Sequence, residues 1–349
     1  MPQQVTSSST EAAQPKTPQQ ENQSPTTKPT DEHKTDPAVN AQPAAISLAE
    51  AAQPQATALP PAASEEMAAS THTEAVNQAK TTATTSSTEL STEIDEMAKD
   101  FDWRDNSVLS QLPCIVGIEN SEADIAIYAA NPWGIIDSWC GGSANTAYAK
   151  INGGKPDTLP GGIPTGTSRL HTDVQTKTLI GSTAINFSSR SGLFEKTSSG
   201  QLAVSKTLLA NAHILPETDK IVECLSADEL EKITTDILNK CSLTKDRLAS
   251  PEEIKNIIRV HVNSIVSSVI IARDAAIEGP ENKRPQVVAM VLLGAGVYGA
   301  PRALVSLQKK VMLLLRKCPN IQKNIDLRWA ILPGDISRLS PQQQQSLIK

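Results

Sequence analysis

One run in the chain has the spacing of a phosphate-cradling turn: Gly294-Ala-Gly296-Val-Tyr-Gly299, which matches G-x-G-x-x-G. Glycines at that spacing allow a tight turn and bring backbone N–H groups close to a pyrophosphate at the start of a helix. An apolar stretch, 287–293, precedes the run, and a helical pattern follows it. The wider sequence opposes a dinucleotide reading. Only 50 residues follow Gly299, too few for the further strands of a doubly wound sheet. No acidic residue stands about 20 positions on to hold a ribose. Pro301 also sits two residues behind the last glycine. The run is therefore read as a close helix–helix contact or a helix break, and no cofactor is expected.

The other chemically capable residues are scattered. Gly153-Gly154-Lys155-Pro156 begins like a phosphate loop, but it lacks the first glycine and has Pro where Ser or Thr would hold magnesium. His33 and His72 fall in a low-complexity tail. His261 lies on the apolar face of a predicted helix, where a hydrogen-bonded core histidine is expected. His171, two residues before Asp173, reads as a loop feature. Cys140, between Trp139 and Gly141-Gly142, could be a nucleophile near a helix start but reads as a buried thiol. The five cysteines are widely spaced and form no CxxC pair, which fits reduced thiols. With no paired carboxylates and no metal-ligand spacing, neither a catalytic nor a metal site is expected, and the chain reads as a non-enzyme.

Charge is more informative. The 349 residues hold 32 Lys plus Arg and 38 Asp plus Glu, a net charge of −6. The distribution is uneven: residues 1–100 carry five basic and 14 acidic side chains, whereas residues 280–349 carry 11 basic and three acidic. Within the basic end, Leu304, Leu307, Val311 and Leu314 recur at three and four residues, which predicts a helix over 301–317 with one packing arc. Arg302, Lys309, Lys310, Arg316 and Lys317 fall on the opposite arc. With Lys283, Arg284, Lys323 and Arg328 they form the predicted phosphate-binding surface. The plain alternative is a solvated face, or a basic segment paired with the acidic body. Arg104 beside Trp103 and Arg328 beside Trp329 each set a guanidinium next to an indole, a pairing that can stack bases, or that simply places surface arginines by core tryptophans.

The elements that must position these groups read as mainly α. Residues 226–349 predict helices over 226–240, 250–278, 286–299 and 301–317, with a short terminal helix over 340–348. Ser226 with Glu229, and Ser250 with Glu253 behind Pro251, have capping-box spacing. Residues 101–225 read as an irregular, Gly-rich half that holds 11 of the 17 glycines between Gly134 and Gly200. Within it, 114–118 could be a short strand or a buried turn, while 123–130 and 202–212 read as helices. Residues 87–100 predict an entry helix. The expected fold is a helical-bundle core behind this irregular half.

Residues 1–86 contain no aromatic residue, no glycine and no cysteine, and are built from Pro, Thr, Ser, Gln, Ala and Glu. Such a segment cannot bury enough apolar area to offset its ordering entropy, so a long disordered tail is expected before a single globular domain, 87–349. No apolar run reaches about 18 residues, so no membrane span is expected. The N-terminus lacks a charged, apolar, then small-residue signal, which argues against secretion.

A disordered tail, a helical core and a basic C-terminal part together resemble the coat or nucleocapsid proteins of filamentous RNA viruses of plants and fungi. The resemblance lies in layout. The Arg-Asp pair of the flexible-virus coat proteins has its nearest counterpart in Ile271-Ala-Arg273-Asp274, without the aromatics around it. The resemblance implies non-specific coating of single-stranded RNA and self-assembly into a homo-oligomer, in a virion or the host cytoplasm. The alternative expectation is a non-enzymatic intracellular adaptor whose tail carries the partner motifs.

Overall fold

The computed structural model describes residues 88–132, 135–136, 151, 157–158, 162–171, 177–188, 193–247, 250–279, 285–296 and 298–347. The predicted tail, Cys140, residues 153–156, Asp173, Lys283 and Arg284 lie outside the described residues. All described residues belong to the larger of two compact units, Glu65–Lys349.

Residues 88–100 form helix α1, which buries Leu90, Ile94 and Ala98 on one face. There follow β1 (Cys114–Val116), β2 (Ile125–Ala130), β3 (Ser168–His171) and β4 (Thr178–Thr183). A small hairpin, β5 (Phe194–Lys196) and β6 (Leu202–Val204), leads into α2 (Lys206–Asn211), α3 (Pro216–Glu223), α4 (Ala227–Lys240) and α5 (Pro251–Glu278). The chain closes with β7 (Gln286–Met290), α6 (Arg302–Lys317), α7 (Pro319–Asn324), β8 (Ile325–Ile331) and α8 (Pro341–Ser346). Six strands form one sheet in the order β1-β8-β7-β2-β4-β3. Every pairing in it is parallel except that of edge strand β3 with β4.

The fold is therefore α/β, which corrects the expected mainly-α bundle. The reason lies in the central strands. β2 and β7 are buried on both faces, so 123–130 and 287–293 read as continuous apolar runs without the alternation of a half-exposed strand. Periodicity alone cannot separate such a run from a buried helix. The helix expected over 286–299 is thus a strand and a turn. The helix expected over 202–212 is β6 and then α2, divided at Ser205, whose side chain accepts from Leu208 N. The half expected to be irregular, 101–225, supplies four of the six sheet strands.

Other expectations hold. Residues 88–100, α4, α5, α6 and the terminal α8 are helical, and 114–116 is a strand. Ser226 caps α4 by accepting from Glu229 N. Ser250 makes no side-chain cap bond; Glu253 instead accepts from Val204 N and ties α5 to the hairpin.

The sheet separates two cores. On one face Ile125, Ile127, Ile180, Val288, Met290 and Leu327 pack against α1 and the helices from α3 to α7. On the other, Ala126, Tyr128, Leu179, Val287 and Ala289 pack with Ile118, Ala123, Ile163 and the half-buried Ile151. Helix α5 is long and apolar enough to cross a membrane by length and composition, yet 67% of its most apolar window is buried in the first core. It is the central strut of the helical layer.

Candidate functional site

The strand connections diverge at β2 and β7, which are neighbours. From β7 the chain runs through α6, on the helical face, to β8. From β2 it runs past Ile151 and Ile163, which pack on the opposite face. Adjacent parallel strands whose connections leave to opposite faces open a crevice at their carboxyl ends, and open α/β sheets place ligands there.

The glycine run borders this crevice. It forms the turn between β7 and α6, so the strand–turn–helix context that the sequence reading denied it is present. Ala300 N donates to Gly294 O at 2.9 Å and Gly299 N to Gly296 O at 3.0 Å. Gly294 (φ +74°) and Gly299 (φ +62°) adopt left-handed backbone, which only glycine enters without strain. A Cβ on Gly294 would meet Ala184 Cβ at 3.2 Å, so the turn lies against the segment that leaves β4. That segment is tied to it: Phe187 N and Ser188 N both donate to Tyr298 O, at 2.8 and 3.1 Å. Because β2 lies between β7 and β4, the turn crosses the carboxyl end of β2.

Gly296 differs from its neighbours. It is exposed, and no heavy atom lies within 4 Å of the place its Cβ would occupy. Among the described residues no carbonyl accepts from its amide. Lys240, the last residue of α4, sets its exposed ammonium 3.0 Å from the Cβ position of Gly299. It makes no ion pair among the described residues. The N-terminus of α6 is already capped, since Asp236 Oδ2 accepts from Ala303 N at 2.9 Å. An anion at this end would therefore meet the turn and Lys240 rather than the helix end. Sequence reading missed Lys240 and Asp236 because nothing local marks them; both come from α4, about 60 residues upstream of the turn.

The predicted cationic surface divides. Lys310 does not belong to it. Its side chain is fully buried, pairs with Glu229 Oε1 at 3.0 Å and donates to the carbonyl of Trp103. The wheel put it opposite the apolar arc, but α4 and the 101–104 segment cover that side. Lys309 lies over the Trp329 ring with Nζ 3.5 Å from its centroid, and burial lowers its pKa. Arg302, Lys317 and Lys323 are exposed. Trp103 is a core residue whose Nε1 donates to Ala98 O, while Arg104 is exposed and pairs with Asp228 at 3.0 Å.

Arg316 and Arg328 meet at the amino-terminal end of the sheet. Both hold Asp326: Arg316 Nη2 donates to Oδ1 at 2.7 Å and Arg328 Nε to Oδ2 at 2.8 Å. Arg316 Nε also donates to Leu327 O at 3.2 Å. That carbonyl faces the β1 side below Trp329, where the pairing with β1 begins. A cavity of about 330 Å³ opens here, lined by Pro285, Val287, Arg316, Gln322, Ile325, Asp326 and Arg328.

Two buried side chains keep polar atoms without a hydrogen bond of normal geometry. His261 is buried as predicted, but neither ring nitrogen makes a hydrogen bond of normal geometry among the described residues; burial pushes its pKa down to about 4 against a weaker opposing pull from the Leu304 backbone. Gln308 donates to Val291 O at 3.0 Å, while its own carbonyl oxygen is unpartnered. Tyr128 Oη and His171 Nε2 lie 2.7 Å apart on the non-helical face. Among the described residues no cluster of His, Cys, Asp and Glu could hold a metal ion.

No family model and no curated protein matches the sequence. Among solved structures, a macrodomain from Oceanobacillus iheyensis with MES bound is similar at 14% identity, covering 66% of this chain and 87% of that one, with a TM-score of 0.25. A likeness of that degree carries no argument about function.

Proposed function

We propose that this chain binds a phosphate ester of the nucleotide kind in the crevice at the carboxyl ends of β2 and β7. The observation that carries the reading is the position of the glycine turn: residues 294–299 join a central parallel strand to a helix where the strand connections diverge. The exposed Gly296 amide supplies a backbone donor, and Lys240 a cation beside it. Among the described residues a single parallel strand, β8, follows the turn. The pattern serves one phosphate group.

Single-stranded RNA coating with self-assembly is a second reading, drawn from the basic C-terminal region. With Lys310 buried and Arg316 and Arg328 both bonded to Asp326, the exposed members of that set among the described residues are Arg302, Lys317 and Lys323. The crevice reading therefore stands first. Titration of the full chain with ATP and ADP by calorimetry tests it. Binding that is lost in Gly296→Glu, with an unchanged melting curve, is the expected result. Equal binding by wild type and variant, or none by wild type, overturns it.

A further inference from the structure

We infer that the pocket at the amino ends of β7 and β8 is a second ligand site, for a small organic anion. Its carboxylate or phosphate would meet Arg316 and Arg328, and its apolar body would lie on Pro285, Val287 and Ile325. The pocket, at about 330 Å³, is of the size that takes small molecules. Its walls hold two guanidiniums against one carboxylate. Asp326 accepts from one Arg316 nitrogen, Nη2, while Nε donates to the Leu327 carbonyl. Arg328 spends Nε on the same carboxylate, and its Nη1 lies 3.8 Å from the exposed Glu122, beyond hydrogen-bond reach. A guanidinium has five N–H donors, so both forks keep unspent donors beside the cavity.

The arrangement exceeds what a structural bridge needs. Arg316 already ties α6 to β8 through the Asp326 side chain and the Leu327 backbone, beside the Lys309–Trp329 contact. Arg328 adds a second cation to the same carboxylate. Asp326 holds both guanidiniums in place, which lowers the ordering cost of a bidentate oxyanion contact. The pocket lies at the opposite end of the strands from the glycine turn, so this site is independent of the crevice reading.

The test uses the full chain with benzoate and phenyl phosphate as anionic probes and benzyl alcohol as the neutral control, followed by ligand-observed NMR. Both anions are expected to bind and the alcohol not. Arg328→Gln keeps the Arg316–Asp326 bridge and should weaken the anions about tenfold or more. Glu122→Gln removes the nearby competing charge from an exposed position and should tighten them, which keeps the test decisive if the arginine variant misfolds. Binding should survive Gly296→Glu. Absence of anion binding, equal binding by all variants, or capture of a single-stranded oligonucleotide in place of the small anions would each overturn the proposal.

Discussion

The two ends of the sheet offer oxyanion donors by different means. At the carboxyl end the donor is backbone, on a turn whose Gly294 lies against Ala184 and whose Tyr298 carbonyl anchors the segment after β4. At the amino end the donors are side chains, two arginines held by Asp326. A backbone site is shaped by conformation, so it tolerates changes of charge but not added bulk. A side-chain site is shaped by charge pairing, so it tolerates bulk nearby but not loss of a partner. Helix α6 joins the two, with Arg302 at one end and Arg316 at the other.

The largest expected effect strikes both ends together. Lys310→Met leaves the buried Glu229 with only the half-exposed Lys232, 3.9 Å away, and breaking a buried pair costs about 3–5 kcal/mol. Urea unfolding should show this loss, and Lys310→Met with Glu229→Leu should recover most of it. A single variant as stable as wild type would show that the Lys310–Glu229 pair does not anchor α6.

Acid should destabilise the fold through a buried histidine of α5. His261 stays neutral when folded, with its pKa held near 4, whereas the unfolded chain takes up a proton below about pH 6.5. Stability from this residue is therefore fully present above about pH 6.5 and falls as pH drops toward 4, by roughly 2–3 kcal/mol. His261→Leu should flatten that slope and cost little at neutral pH, because it removes two buried nitrogens that make no hydrogen bond of normal geometry. Urea midpoints at about pH 7 and pH 4.5 check it; an unchanged slope would contradict the burial argument.

Two glycines sharpen the contrast within one turn. Gly294→Ala forces a side chain into left-handed backbone against Ala184 and should cost about 1–3 kcal/mol. Gly296→Ala meets nothing and should leave the melting temperature unchanged. The smallest effect is expected from Lys240→Gln: nucleotide affinity should fall by about tenfold or less, with stability unaltered. Anion binding at the arginine pocket should not move in that variant.

Much of the helical layer was legible in the sequence, and little of the sheet was. Ser226 and the apolar spacing in α6 mark their helices because caps and a 3.6-residue period are local signals. β2 and β7 leave no such mark, since strands buried on both faces have no polar side to alternate with. The glycine turn was visible as a spacing, but its meaning depended on whether 286–290 was a strand. The wheel placed Lys310 on a solvated arc because a projection of one helix cannot show α4 packed across it. The pairing of Arg316 and Arg328 through Asp326 arises only when α6 returns to β8.

The most direct test of the central claim is the amide spectrum of the glycines. The chain labelled with ¹⁵N-glycine would be titrated with ADP. Gly296 and Gly299 are expected to shift progressively and saturate, while Gly279, beside Gln286 at the amino end of β7, stays in place. Saturable nucleotide binding that leaves the 294–299 glycines unmoved would contradict it.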